Sequence, residues 1–199
     1  MVVAWLFFLA SCIGVLFWRS EWKYSLPTPL PAHYHEVARG TSVALPKELS
    51  QRSILSPKGV FLHFFNPDCP CSRFNMPVFR SLVQQYGQQV RFAIVLMTDK
   101  QYTDGQIRAR FDLPPSVPVL RDTTLAARCG VYSTPQAVII DAHENLFYRG
   151  NYNRARYCTD EKTGFAKIAL EGLLHNDLAQ SFSPLALKAY GCQLPTCKQ

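Results

Sequence analysis

Two cysteines separated by a single residue, Cys69 and Cys71, are the side chains of this sequence best placed to do chemistry. They follow an apolar run, residues 59–65, and a short turn. They precede residues 72–86, whose apolar side chains recur at intervals of three and four and predict a helix. A thiol at a helix start lies near unpaired backbone N–H groups, which favour the reactive thiolate. The pair therefore predicts thiol chemistry, with Cys69 more exposed and more acidic than Cys71.

The segments around the cysteine pair are predicted to alternate between strands and helices. Residues 59–65 are apolar except for His63, which is typical of a strand buried on both faces of a sheet. A strand, a helix and a second strand follow one another with connections short enough for a parallel crossover, which indicates an α/β fold. The predicted strands are residues 59–65, 90–97, 117–120, 136–141 and 146–149, and the predicted helices are residues 72–86, 103–111, 122–129 and 163–174.

Length and charge limit the function classes. A chain of 199 residues with 48% hydrophobic content is long enough for one substantial core and too short for two ordinary domains. Lys and Arg total 21 against 14 Asp and Glu, which gives a net charge of +7. Because the basic residues are scattered and form no run or aromatic-interleaved stripe, nucleic acid binding is not indicated. No cofactor is predicted.

The N-terminal residues predict a membrane anchor. Residues 2–18 contain no charged side chain, and their aromatic and aliphatic residues point in every direction around a helix. The sequence before Cys12 resembles the lipobox of bacterial lipoproteins, but no basic residue precedes the apolar run, so an uncleaved anchor is favoured. We therefore divide the chain into an anchor (residues 1–20), a proline-containing linker (residues 21–54) and a globular domain with a cysteine-containing tail (residues 55–199). The prolines of the linker predict a tether followed by irregular structure.

The number of cysteines favours an oxidising compartment. There are seven, and their spacing is not that of the paired clusters in a zinc module. Cys12 would lie in the bilayer, which leaves the others for redox or structural roles. Near the C-terminus, Cys192 could pair with Cys197 or fold back onto the domain. The cysteines available in the domain are Cys69, Cys71, Cys129, Cys158, Cys192 and Cys197.

Several of these segments together resemble the thioredoxin superfamily. Residues 64–72 resemble its active-site segment, Pro77 falls where its first helix commonly carries a proline, and Thr134-Pro135 resembles its cis-proline loop. More narrowly, residues 55–195 are similar to redoxin-type (AhpC/TSA-like) domains of bacterial envelope proteins, which also tend to end in a Gly-Cys pair, here Gly191-Cys192.

The resemblance implies a thioredoxin-like fold, with a central mixed sheet flanked by helices. The apolar N-terminal run adds a transmembrane helix before it. The resemblance further implies a catalytic site of Cys69, Cys71, Thr134 and Pro135, with Pro135 in the cis form beside the cysteines. It also implies thiol–disulfide oxidoreduction with protein thiols or disulfides of the cell envelope. The expected location is the inner membrane, as a single-pass protein with its domain in the periplasm.

The cysteine spacing departs from the common pattern of this superfamily. Cys69 matches the usual attacking cysteine, but Ser72 stands at the usual resolving position and Cys71 comes one residue early. A Cys69–Cys71 disulfide would close a smaller ring, and its strain would make it a stronger oxidant. We take Cys71 as the resolving thiol, with Cys129, Cys158 or Cys192 as distant alternatives.

Other functions remain open on the sequence. A peroxidase is less favoured, because Asn66 stands where a peroxiredoxin has threonine. Copper binding by Cys69, Cys71 and His63 would make the protein a metallochaperone, since two thiolates near a histidine can hold a soft metal. A redox-inert docking domain is the third hypothesis. His63 is better explained as a core residue, and for Asp68 we prefer a capping role on the helix that follows.

Overall fold

The computed structural model describes residues 1–22, 26–50, 57–154 and 161–194. The strands are β1 (Gly59–Phe65), β2 (Arg91–Leu96), β3 (Val119–Leu120), β4 (Ser133–Thr134), β5 (Gln136–Asp141), β6 (Leu146–Gly150) and β7 (Cys192–Gln193). The α-helices are α1 (Val2–Phe17), α2 (Lys47–Ser50), α3 (Pro70–Tyr86), α4 (Asp104–Phe111), α5 (Thr124–Arg128), α6 (Phe165–Leu174) and α7 (Pro184–Leu187). A π-helical turn, Trp18–Trp22, follows α1, and a 3₁₀ turn, Glu161–Thr163, precedes α6.

The main sheet has five strands in the order β3-β2-β1-β5-β6. β1 runs parallel to β2 and antiparallel to β5, and β3 and β6 extend the two sides. All residues of β1 are buried, as its continuous apolar sequence predicts for a central strand covered on both faces. The predicted strand over residues 59–65 and the predicted hairpin of β5 and β6 are confirmed.

Alternate residues of β1 face two separate hydrophobic cores. Phe61 and Phe65 pack in one core with buried side chains of α3, α4 and α6. Val60, Leu62 and Phe64 pack in the other core with side chains of α2 and α5. This division follows from the two-residue period of a strand. Helices therefore cover both faces of the sheet.

The helix that follows β1 begins two residues before the predicted one. Pro70 occupies its first turn, where a missing backbone N–H costs nothing, and Pro77 lies in its interior. α4 agrees closely with its prediction and starts with a capping box, in which the Thr103 side chain accepts from Gln106 and the Gln106 side chain accepts from Thr103.

The peptide bond between Thr134 and Pro135 is cis. It lies between β4 and β5, and its cis form is the one that the resemblance to the thioredoxin superfamily implied. The mixed sheet, the flanking helices and this cis bond together make the domain a thioredoxin-like α/β fold, which confirms the predicted fold class of the globular part.

Part of the predicted linker packs onto the domain. Thr28, Val43 and Leu49 are buried. The backbone N–H of Gly40 donates to the Leu146 carbonyl oxygen at 2.8 Å, and the N–H of Leu146 donates to the Thr41 carbonyl oxygen at 2.9 Å. The expectation of a tether is therefore wrong for residues 26–50, because several of their apolar and backbone groups find partners on β6 and the adjoining turn.

Helix α1 has no buried residue. Its large apolar side chains are exposed, among them Trp5, Phe7 and Phe17. None of the helices in the described ranges has the length and apolar character needed to cross a bilayer. The predicted transmembrane helix is not confirmed.

Candidate active site

Cys69 lies where β1 turns into α3. It is the N-cap residue of α3, in an extended backbone conformation. The turn is fixed by local hydrogen bonds, because the Asn66 carboxamide oxygen accepts from the Asp68 N–H at 2.9 Å and the Asn66 carbonyl oxygen accepts from the Cys69 N–H at 3.2 Å. The Ser72 hydroxyl accepts from the Asn66 N–H at 3.3 Å. Ser72 thus fills the usual resolving position with a structural side chain.

Cys69 forms a disulfide with Cys192. The two residues are 123 positions apart in sequence, and their Cα atoms are 6.9 Å apart. Cys71 lies outside this disulfide but belongs to the same buried cluster as Cys69 and Cys192. The structure therefore brings three cysteines together, two from the predicted site and one from the C-terminal segment.

The cis-proline loop adjoins this cluster through a small second sheet. β4 pairs antiparallel with β7, so that Ser133 stands opposite Gln193 and Thr134 stands opposite Cys192. Thr134 precedes the cis Pro135 directly. The four predicted site residues are therefore linked, Cys69 and Cys71 by the cluster and Thr134 and Pro135 by the strand that holds Cys192.

The predicted difference in exposure between the two cysteines is wrong. Cys69 is 0% exposed and Cys71 is 4% exposed. Cys69 opens the turn, as expected, but it is buried in the cluster with Cys71 and Cys192. The prediction that Cys69 is the more acidic thiol is not tested by the disulfide-bonded form.

Asp68 does not cap α3. That position belongs to Cys69, whose side chain makes no capping hydrogen bond. The Asp68 carboxylate instead accepts from the Tyr102 hydroxyl at 2.8 Å and lies 3.4 Å from the Lys100 ammonium and 4.0 Å from the Arg110 guanidinium. These cations offset the negative charge next to Cys69, which would otherwise disfavour a thiolate there.

His63 lies in the aromatic core. Its ring stacks on Phe79 with centroids 4.9 Å apart, and its Nδ1 atom lies 2.7 Å from the Tyr152 hydroxyl. Burial lowers the pKa of His63 to about 3, so the ring is neutral near pH 7. The interpretation of His63 as a core residue is confirmed. Within the described ranges, no group of three or more His, Cys, Asp or Glu side chains could hold a metal ion, so the structure does not bring the hypothetical copper ligands together.

The other cysteines occupy different surroundings. Cys129 is buried in the second core and ends α5, and burial raises the pKa of its thiol to about 12. Cys12 lies on α1. Cys158 and Cys197 lie outside the described residues, so their predicted roles stay predictions.

Two polar residues that the sequence did not single out also contact the site. The Thr28 hydroxyl lies 3.1 Å from the Ser133 hydroxyl, and Thr28 and Ser133 are both buried. Thr28 is separated from Ser133 by 105 residues. No pattern of neighbouring residues predicts such a distant contact. The position of Ser133 next to Thr134 could have indicated that Ser133 lies near the site.

The family of the chain can be assigned from sequence. A model of the family described as Domain of unknown function (DUF6436) matches residues 36–197. The chain belongs to this family. Its DUF6436 region contains the three clustered cysteines and the cis-proline loop, and Thr28 lies before it. No curated protein matches the sequence.

Several solved structures are similar to this DUF6436 chain. A hypothetical protein from Sinorhizobium meliloti 1021 has a TM-score of 0.60 and 16% identity, covering 81% of this chain and 96% of that chain. An uncharacterized conserved protein from Geobacillus kaustophilus has a TM-score of 0.54 and 18% identity, covering 76% of this chain and 89% of that chain. A thioredoxin-like protein from Aeropyrum pernix has a TM-score of 0.45 and 19% identity, covering 61% of this chain and 79% of that chain. At these identities the likeness concerns the fold alone.

Proposed function

We propose that this chain is a thiol–disulfide oxidoreductase that exchanges electrons with protein thiols and disulfides through Cys69. The observation that carries the proposal is the Cys69–Cys192 disulfide, placed at the start of α3 and beside the cis-proline loop. A sulfur at that position is a good leaving group and a good nucleophile, because the backbone N–H groups of the first helical turn stabilise its thiolate.

The exchange proceeds in two steps. In the reduced chain the Cys69 thiolate attacks one sulfur of a partner disulfide, which forms a Cys69–partner bond and releases the other partner sulfur as a thiolate. A second thiolate of the chain then attacks the Cys69 sulfur, which closes a disulfide within the chain and releases the partner as a dithiol after protonation. The partner gains two electrons and the chain loses two. The same steps in reverse oxidise a partner dithiol.

Two residues compete for the role of the second thiol. Cys71 is the one predicted from sequence, and its place in the cluster supports it. Cys192 is supported by its disulfide with Cys69. We propose Cys192 as the partner of Cys69 in the oxidised resting form, and Cys71 as the resolving thiol stays a prediction.

Trapping of mixed disulfides separates these assignments. Full-length Cys71→Ser and Cys192→Ser variants are treated with partner proteins, quenched with acid and analysed for covalent complexes through Cys69. The variant that lacks the resolving thiol should accumulate the complex, because release requires a second thiol within bonding distance. Cys69→Ser should trap nothing, and Cys129→Ser should behave like the wild type. If no variant traps a partner and the wild type purifies with copper, the oxidoreductase proposal fails.

We further propose that residues 1–20 attach the chain to the inner membrane, with the domain in the periplasm. The exposed apolar side chains of α1 support attachment, and a disulfide at the site supports an oxidising compartment. The full chain should remain in the membrane fraction after alkaline carbonate washing, whereas a chain that lacks residues 1–20 should not. Release of the full chain by carbonate would contradict the proposal.

A further inference from the structure

The strand that carries Cys192 is held against the cis-proline loop by backbone pairing. β7 is two residues long and pairs with β4, and the N–H of Leu194 donates to the Tyr132 carbonyl oxygen at 3.0 Å. β4 and β7 form a sheet of their own, separate from the five-stranded main sheet. The strand can therefore leave without breaking the ladders of the main sheet.

The backbone just before β7 is held by the conformation of Gly191 and by hydrogen bonds to the N-terminal segment. Gly191 has a φ of +141°, and a Cβ atom there would collide with the Thr134 carbonyl oxygen. Thr28 is 7% exposed, and its hydroxyl donates to the Gly191 carbonyl oxygen at 3.2 Å. The Thr28 N–H also donates to the Ala189 carbonyl oxygen at 2.9 Å. Thr28 thus fastens the chain before Cys192 while its hydroxyl also contacts β4.

In this arrangement the three clustered cysteines are almost completely buried. Cys69 is 0% exposed, Cys71 4% and Cys192 7%. Thiol–disulfide exchange requires an approach to one of the sulfurs of the bond that breaks. Some part of the protein around the disulfide must therefore move before a partner reacts. β7 is the two-residue strand that carries Cys192, the disulfide partner of Cys69.

We propose that β7 is an internal substrate strand. It occupies the edge of β4 to which a partner segment binds, which we call the docking edge, and Thr28 holds it there. The inference rests on the proposed function of Cys69. The partner is an extended segment that adds to β4 as a strand and places its own cysteine opposite Thr134, as Cys192 does. When β7 leaves β4, the partner segment takes its place. Partner exchange and the return of Cys192 are therefore mutually exclusive at β4.

A synthetic peptide that copies residues 188–194 tests the docking edge directly. Its cysteine is supplied as a mixed disulfide with glutathione, and the protein is the full-length, reduced Cys192→Ser variant. The Cys69 thiolate attacks the peptide sulfur, forms a Cys69–peptide disulfide and expels the glutathione thiolate, whose appearance gives the rate. The matched control peptide carries an N-methyl group on the leucine that corresponds to Leu194, which removes the donor used toward Tyr132.

We expect the copying peptide to react about tenfold faster than the N-methylated peptide, because only the former can add to β4 as a strand. Adding Thr28→Val to the same protein should raise the rate of the copying peptide about threefold to fivefold, since the competing internal segment is loosened. Thr41→Val, an exposed threonine of the same N-terminal segment, should leave the rate unchanged.

The outcomes separate the two proposals. If both peptides react at the same rate and glutathione disulfide also reacts, Cys69 is active but the proposal that partners bind to β4 as a strand is wrong. Failure of every disulfide to react would overturn the proposed function and the docking edge with it. An unchanged rate in Thr28→Val would show that Thr28 does not hold β7 on β4. If Cys192→Ser unfolds at a lower temperature than the reduced wild type, Cys192→Ala is measured in its place.

Discussion

Two buried cysteines of this chain lie at opposite ends of helices. Cys69 begins α3, and Cys129 ends α5. Both are 0% exposed. Cys129 is surrounded by the aliphatic side chains of the second core, and burial raises the pKa of its thiol to about 12. Cys69 instead contacts two other cysteines, one of which lies on a short strand outside the main sheet.

Because both cysteines are equally buried, the proposed difference between a reactive Cys69 and a structural Cys129 depends on their surroundings. The carbonyl end of a helix and an apolar core both disfavour the thiolate of Cys129. The N–H end of α3 favours the thiolate of Cys69, and the strand that carries its disulfide partner Cys192 is two residues long. Under the proposed function, the reactivity of Cys69 depends on its place at the start of α3 and on the release of β7.

The largest expected effect is on exchange itself. Cys69→Ser should lower the rate of disulfide exchange with glutathione disulfide by at least about a thousandfold, because it removes the thiol at the N-cap of α3 that forms the disulfide with Cys192. Cys129→Ser should stay within about twofold of the wild type, since its thiol takes no part. Stopped-flow measurement of both variants gives the ratio. Similar losses in both variants would break the distinction between the two cysteines.

Alkylation of the reduced native chain compares the reactivity of Cys69 and Cys129 directly. With a pKa of about 12, Cys129 is a thiolate in only about one molecule in 10,000 at pH 8. We expect iodoacetamide to modify Cys129 about a thousandfold more slowly than Cys69, and to modify it readily once the chain is unfolded. Peptide mapping by mass spectrometry measures both rates in one sample. Native labelling of Cys129 at the rate of Cys69 would contradict the assignment of Cys129 as structural.

A third comparison concerns the neutral histidine in the core. The pKa of His63 is lowered to about 3 by burial, whereas an unfolded histidine titrates near 6.5. Between these values the unfolded chain binds the extra proton, so stability is complete above about pH 6.5 and falls as the pH decreases. From pH 7 to pH 5 this contribution should lower the free energy of unfolding by about 2 kcal/mol.

The non-titrating variant His63→Asn should lack this pH-dependent loss even if it is less stable at every pH. Urea unfolding of the wild type and the variant at pH 7, 6 and 5 measures the difference. His143→Gln, in an exposed turn, is the matched control and should keep the wild-type slope. Parallel slopes for the wild type and His63→Asn would show that burial does not lower the pKa of His63 in the folded chain.

The smallest effect is expected at Thr28. Thr28→Val removes a hydroxyl that contacts Ser133 and Gly191, and a hydrogen bond typically contributes about 1 kcal/mol. Reduction of the Cys69–Cys192 disulfide by dithiothreitol should therefore be about fivefold faster. Thr41→Val should reduce at the wild-type rate. A Thr28→Val chain that reduces no faster would show that β7 is held by its strand pairing alone.

The parts of the site that local sequence determines were predictable. The apolar run of β1, the turn before Cys69 and the periodic residues of α3 all depend on neighbouring residues. The cis bond at Pro135 was predicted from the resemblance to the thioredoxin superfamily. The position of Asp68 was misinterpreted because Cys69 already occupies the cap, with Pro70 at the first helical position. Asp68 lies one residue before the cap, where its carboxylate contacts Tyr102, Lys100 and Arg110 instead of the helix N–H groups.

The parts that depend on distant residues were not predictable. Cys192 was one of several candidates, and nothing in its local sequence selects it over Cys129 or Cys158 as the partner of Cys69. The packing of Thr28 between β4 and the segment before β7 likewise joins three separate parts of the chain. The burial of Cys69 follows from these contacts, so its predicted exposure failed for the same reason.

A redox titration of the full-length chain in glutathione buffers, with disulfides mapped by mass spectrometry, tests the central claim most directly. The account predicts that a peptide pair linked through Cys69 and Cys192 forms and disappears reversibly while circular dichroism shows the fold unchanged. A Cys69–Cys192 bond that resists reduction until the chain unfolds would make it a structural disulfide and contradict the proposed function.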